Sequence, residues 1–187
     1  MEKPLLTVGI VSDTHLPDRS KTLPPGLLPA LQAAQVSAIL HAGDIISPMV
    51  LDLLEEVAPV TAVKGNRDWA LPLPLTRTLE LAGVSVGLAH GHGGWGLYLM
   101  DKIQQMVYGY HFERYRDALL RSFPQAQVIV FGHTHRAENR LEKGVLFFNP
   151  GAACACPSNH FKPQFGLLRF YPEKRIEGEI CSAVGDV

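Results

Sequence analysis

Seven side chains able to hold metal ions stand at the ends of short apolar runs: Asp13 and His15, Asp44, Asn66, His90, and His133 with His135. Carboxylate, imidazole and amide donors together suit borderline first-row divalent ions such as Mn²⁺, Fe²⁺, Zn²⁺ or Ni²⁺ better than calcium, whose ligands are nearly all oxygens. Residues i and i+2 of an extended segment point to the same side, with a repeat of roughly 6.5–7 Å. His133 and His135 can therefore each reach a different ion of a pair ~3.5–4 Å apart. Seven donors are more than one ion can use. Taken singly, each has an ordinary explanation: a hydrogen-bonded structural histidine, an aspartate closing a strand, or an asparagine in a left-handed turn. Their shared placement at strand ends favours the metal reading.

The elements that must position these residues follow from hydrophobic periodicity. Residues 5–11 are apolar and β-branched, suited to a strand buried on both faces, and end at Ser12 and Asp13. Helical spacing over 26–35 leads to a second strand at 36–40, which ends at His41, Ala42, Gly43 and Asp44. Ser47 followed by Pro48 reads as an N-cap with proline at N1, opening a helix to about 57. A third strand, 60–64, ends at Gly65, Asn66, Arg67 and Asp68. This β-α-β-α-β order delivers polar residues at strand C-terminal ends, where open α/β sheets place ligands. Residues 76–89 read as two strands about Ala82 and Gly83, ending at His90, Gly91 and His92. Residues 95–122 are helical in character with a break at Gly109, and 127–131 form a strand delivering Gly132 to His135. Two hairpins follow, 137–148 about Lys143 and Gly144, and 165–181 about Pro172 to Lys174. The residues by themselves describe an α/β fold, a mixed sheet from the first half packed on an antiparallel sheet from the second, with helices outside.

D-T-H at 13–15, G-D at 43–44, G-N-R-D at 65–68, H-G-H at 90–92 and G-H-T-H at 132–135 resemble, in order and spacing, the five blocks of the calcineurin-like metallophosphoesterases. The similarity is greatest to their small bacterial and archaeal phosphodiesterase branch. It runs from Val8 to Gly151, where Asn149, Pro150 and Gly151 look like the family's N-P-G-S segment with Ala152 in the serine position. Each block alone is weak; five in register are specific. The resemblance implies a four-layer α-β-β-α sandwich of two mixed β-sheets flanked by helices. It also implies one ion held by Asp13, His15 and His135, a second by Asn66, His90 and His133, and Asp44 bridging them. The expected cofactors are two divalent ions per chain, manganese first, with nickel, zinc or iron as alternatives. The implied reaction is hydrolysis of a small phosphodiester by a hydroxide bridging the two ions. A phosphomonoesterase using the same site is the alternative, and a non-catalytic scaffold is a third reading, since some relatives in eukaryotic trafficking complexes act in assembly.

Arg67 departs from the family pattern, in which histidine or cysteine often follows the asparagine. Arginine stays protonated, so it is a poor general acid, yet its planar fork suits phosphate. Arg67 is thus read as a phosphate clamp, with an ordinary surface arginine as the alternative. His92 stands either behind a ligand or against the substrate, where it could protonate the leaving group. His41 reads as a buried histidine near the site. Asp68 is either exposed or a carboxylate that orients a ligand histidine. Cys154 and Cys156 form a C-x-C pair without further cysteines nearby and read as structural.

The 187 residues are expected to form one domain, 1–187, with a helical insertion at about 95–122. That insertion is rich in aromatic residues, among them Trp95, Tyr98 and Tyr110, suiting helix core, a cap over the site or a homodimer surface. A net charge of −1 supplies no global field for nucleic acid or anionic membranes. The N-terminal residues lack a signal-peptide pattern and no apolar run reaches the ~18 residues of a membrane span. Three cysteines suit reduced thiols in a cytoplasm better than a disulfide framework. The partner expected is a small phosphate ester, with a homodimer or higher homo-oligomer open.

Overall fold

A computed structural model describes residues 2–92 and 109–184. Two five-stranded mixed sheets pack face to face. The first has the order β10-β9-β1-β2-β3, from β1 (Leu6–Val11), β2 (Ala38–His41), β3 (Val60–Ala62), β9 (Gln164–Phe170) and β10 (Ile176–Ser182). The second has the order β4-β5-β6-β8-β7, from β4 (Thr76–Leu81), β5 (Val84–Ala89), β6 (Val128–Val130), β7 (Ala137–Glu142) and β8 (Val145–Pro150). Each has three parallel strands, β1-β2-β3 in one and β5-β6-β8 in the other, flanked by antiparallel strands.

Alternation along the strands explains why the apolar runs are continuous. Val8 and Ile10 of β1, Leu40 of β2 and Val128 and Val130 of β6 enter the core between the sheets with Val86, Leu88, Phe148 and Leu168. Val11 and Ile39 point the other way, into a layer shared with helices α1 (Leu27–Ala33) and α2 (Met49–Glu55). Ile129 and Phe131 do the same toward helix α3 (Phe112–Ser122). The interiors of β1, β2 and β6 are thus apolar on both faces. The helices bury single stripes: Leu27 and Leu31, Val50 and Leu54, and Phe112, Tyr115 and Leu119.

Three local expectations change. Pro48, not Ser47, occupies the cap position of α2, and no side chain caps it. The second sheet is mixed rather than antiparallel, because β6 and β8 run parallel while β7 crosses to the outer edge. The C-terminal hairpin joins the first sheet, with Leu168 opposite Val8 and Gly166 opposite Ile10. Turn chemistry identifies a hairpin locally, but the edge it joins is set by a pairing some 160 residues away in sequence. Within the expected helical insertion, Phe112–Ser122 is helix; residues 93–108, including Trp95, Tyr98 and Tyr108, lie outside the described residues. Among the described residues no helix is long and apolar enough to cross a membrane.

Candidate metal centre

The polar residues that follow β1, β2, β3, β5 and β6 meet at one edge of the sandwich. Five of the seven expected ligands have left-handed backbones: Asp13 (φ 55°), His15 (φ 49°), Asp44 (φ 56°), His133 (φ 69°) and His135 (φ 56°). Such conformations cost non-glycine residues on the order of 1–2 kcal/mol each, so the surrounding fold must impose them. Hydrogen bonds between the loops do so: Asp13 N–H donates to Gly43 O at 2.9 Å, His15 N–H to Asp44 O at 3.0 Å, and Gly132 N–H to His90 O at 3.1 Å. Asn149 braces the last loop, its amide donating to Gly132 O at 2.9 Å and to the Thr134 hydroxyl at 3.1 Å. Gly65 is required sterically, since a Cβ there would lie 2.2 Å from both the Asp44 nitrogen and its carboxylate.

Two sets of donor atoms result. Asn66 Oδ1 lies 3.1 Å from His90 Nε2 and 3.1 Å from His133 Nδ1. His135 Nε2 lies 3.1 Å from Asp13 Oδ1 and 3.1 Å from His15 Nε2. Asp44 spans them, with Oδ2 3.6 Å from His15 Nε2 and Oδ1 3.4 Å from His90 Nε2. Asp13 reaches both sets, its Oδ1 being 4.0 Å from His90 Nε2. Its other oxygen is occupied by the Ser12 hydroxyl at 2.6 Å and the His133 N–H at 3.0 Å. Buried Asp13 Oδ1 has no hydrogen-bond partner. An orphaned buried carboxylate oxygen ringed by imidazole nitrogens fits a divalent cation and is costly without one. Each of the seven residues expected to be a ligand is therefore placed with its donor atom in this cluster.

Burial alone would raise the Asp13 carboxyl, but attraction from His135, His90 and His15 carries it well below the usual carboxylate range. Burial similarly opposes the charged forms of His90 and His135 and is outweighed. Asp44 and Asp13 lift His90 to about 9, and Asp13, with help from Cys156, lifts His135 to about 10. Burial dominates elsewhere, holding His15, His41 and His92 each at about 4. At neutral pH the metal-free chain therefore carries protons on His90 and His135 that cations must displace. Loading is expected to release about two protons per chain at pH 7, read from calorimetric heats in buffers of different ionisation enthalpy. The same two histidines stabilise the metal-free fold fully below the unfolded value of 6.5. That contribution is lost as pH rises through 9 to 10, so melts of chelated protein should fall on the alkaline side.

The residues around the cluster have definite places. Asp68 is buried and accepts four backbone N–H bonds, from Asp44 at 2.9 Å and from Ile45, Ile46 and Gly65 at 2.7 Å each. It is therefore neither exposed nor set against a ligand histidine; it holds the loop that carries Asp44. His41 is fully buried, its Nδ1 accepting the Gly43 N–H at 3.2 Å and its Nε2 lying 3.4 Å from the Thr14 hydroxyl. His92 packs beside His90 and His133, with ring centroids at 5.4 and 6.3 Å, and its buried Nδ1 has no partner. Arg67 donates its backbone N–H to Asp44 Oδ1 at 2.9 Å, while its guanidinium lies out at the surface, 3.5 Å from Asp18. Sequence reasoning missed Cys156, whose sulfur lies 3.4 Å from His135 Nδ1. The available signal was its position just after the Asn149-Pro150-Gly151 turn.

Residues 6–170 match the calcineurin-like phosphoesterase superfamily domain, and the chain belongs to that family. It is 36% identical over 149 residues, 79% of this chain and 77% of the relative, to a "probable metallophosphoesterase" of Methanothermobacter thermautotrophicus. A second protein so described, from Methanocaldococcus jannaschii, is 30% identical over 175 residues, 94% of this chain and 80% of the relative. Among solved structures, Vacuolar Protein Sorting 29 of Cryptosporidium parvum has a TM-score of 0.72 at 20% identity, covering 95% of this chain and 97% of that one. A chain described as a novel archaeal phosphodiesterase has a TM-score of 0.63 at 21% identity, covering 94% and 100%. These structural likenesses establish the shared fold. Family membership and the curated relatives make the chain a metallophosphoesterase, a hydrolase that binds divalent metal.

Proposed function

We propose that the chain is a two-metal phosphodiesterase acting on a small phosphodiester, most readily with Mn²⁺, in a cytoplasm. The observation that carries this reading is the bridging placement of Asp44, one oxygen 3.6 Å from His15 Nε2 and the other 3.4 Å from His90 Nε2, between two complete donor sets. Asp13, His15 and His135 would hold one ion and Asn66, His90 and His133 the other. When bound, divalent ions there would lower the pKa of a coordinated water and neutralise charge developing on the phosphoryl oxygens.

The chain's own groups do the rest. Two divalent ions, the carboxylates of Asp13 and Asp44 and the attacking hydroxide would together leave the loaded centre at about +1, which a phosphodiester monoanion balances. Arg67 stands at the rim, its side chain 43% exposed and paired with an exposed carboxylate that a phosphate can displace. His92, held neutral by burial, is a poor proton source at neutral pH. It suits a hydrogen bond to the substrate, leaving protonation of the leaving group to water. R67A and R67K are expected to raise KM for a diester about tenfold, one lost charge-assisted hydrogen bond, with metal content unchanged. Loss of metal in either variant would overturn the clamp.

The positive charge of Arg67 also supports the second reading, a phosphomonoesterase, because it would help neutralise a dianion. The deciding assay is hydrolysis of a chromogenic bis-aryl phosphodiester beside the matching monoester, on chelated protein with Mn²⁺, Ni²⁺, Zn²⁺ or Mg²⁺ restored and H133A as control. Metal-dependent diester turnover lost in H133A supports the proposal. Monoester preference would make the chain a phosphatase. Two bound ions without turnover of either would favour a scaffold, the reading suggested by the fold shared with Vacuolar Protein Sorting 29.

A further inference from the structure

We propose that Cys156 is a positioning residue of the metal centre, its sulfur accepting the Nδ1–H of His135 and fixing that ring with Nε2 toward Asp13 and His15. The inference rests on the two-ion reading above but not on the identity of the ester. Cys156 Sγ lies 3.4 Å from His135 Nδ1, while the opposite nitrogen of the same ring lies 3.1 Å from Asp13 Oδ1. The cysteine is therefore behind the imidazole, and neither of the two clusters of ligand atoms found among the described residues includes it.

A ligand imidazole that gives one nitrogen lone pair to a cation carries its proton on the other, which must then meet an acceptor. Two groups approach His135 Nδ1, Cys156 Sγ and Arg19 Nη1, both at 3.4 Å. Arginine has no acceptor, so only the sulfur suits the metal-binding tautomer. The loop around Cys156 is built to hold it there. Its N–H donates to Asn159 Oδ1 at 3.0 Å, and the Asn159 amide donates to Ala152 O at 3.1 Å and Cys154 O at 2.8 Å. Cys154 N–H in turn donates to Asp13 O at 3.2 Å, which ties this loop to the strand end that presents a metal ligand. Cys156 is 2% exposed, so water does not compete for the contact.

The test combines metal titration against a competing chromophoric chelator with NMR detection of the His135 Nδ1 proton, assigned by its absence in H135A. C156A is expected to weaken one of two Mn²⁺ or Co²⁺ sites by roughly 10–100-fold, the usual cost of losing a group that orients a ligand, and to leave the other unchanged. C156S, whose hydroxyl can accept the same N–H, should recover most of the loss. R19A, which removes the other group at His135 Nδ1, should stay within about twofold of wild type. In wild-type protein the Nδ1 proton should exchange slowly with water, and in C156A rapidly. Equal exchange in C156A and wild type, or a loss in R19A as large as in C156A, would overturn the proposal. A chain that took up no cation would overturn the two-ion reading instead, and the proton measurement on metal-free protein would still decide the hydrogen bond.

Discussion

D44N and D44A should each lose about three orders of magnitude in kcat/KM for a phosphodiester while remaining folded. Among the described residues Asp44 is the carboxylate whose two oxygens face different donor sets, Oδ2 toward His15 and Oδ1 toward His90. Removing its charge would leave the proposed two-ion centre more positive and without the carboxylate proposed to bridge it. An ion acting as a Lewis acid supplies several kcal/mol of charge stabilisation, and each ~1.4 kcal/mol is tenfold in rate. The amide of D44N keeps an acceptor for the Arg67 N–H, a 2.9 Å bond in the wild-type chain, so local structure should persist in that variant. Metal content by elemental analysis, read beside turnover and a thermal melt, checks the prediction. Two ions retained with turnover near wild type would remove Asp44 from the bridging role.

The second large effect should come from Asp68, which has no donor atom in the cluster. Its carboxylate accepts the N–H groups of Asp44, Ile45, Ile46 and Gly65, so D68A leaves four backbone donors without their acceptor. A buried donor left unpaired costs about 1–3 kcal/mol, and relaxation recovers part of the sum. A net loss of about 4 kcal/mol corresponds to a fall in Tm of roughly 10 °C for a chain of this size. D68N should not rescue it: each carboxylate oxygen takes two of the four donors, and an amide nitrogen in place of either would point N–H at N–H. Ile46, a β-branched residue held at φ 72° beside these bonds, should relax once they are gone and release the Asp44 loop. Activity is then expected to fall further than stability alone explains, through misplacement of Asp44. A D68A protein with wild-type Tm and metal affinity would refute this account.

How much was legible in the sequence follows from which residues report local and which report distant partners. The continuous apolar runs ending at Asp13, His41 and Phe131 identify buried strands by themselves, because each strand interior meets apolar layers on both sides. Residue type and spacing likewise single out the seven donors. Helix α2 was placed to within a residue or two, its start misread because a serine before a proline signals a cap that the backbone here does not use. Asp68 and Cys156 were less legible for a different reason: Asp44, Ile45 and Ile46, three of the four donors to Asp68, lie 22 to 24 residues away, and the His135 ring that Cys156 meets lies 21 away, so local sequence does not show these contacts.

The sequence by itself therefore determined the α/β class, the strands, the family blocks and the seven candidate donors, all of which depend on residue type and short-range periodicity. Only the tertiary structure decided which sheet receives the C-terminal hairpin, that Asp68 serves the Asp44 loop, and that a sulfur stands behind His135. It also decided that left-handed backbone at Asp13, His15, Asp44, His133 and His135 is the conformation that converges their side chains. That conformation is unfavourable locally and persists because hydrogen bonds between loops distant in sequence impose it, which no local pattern can encode.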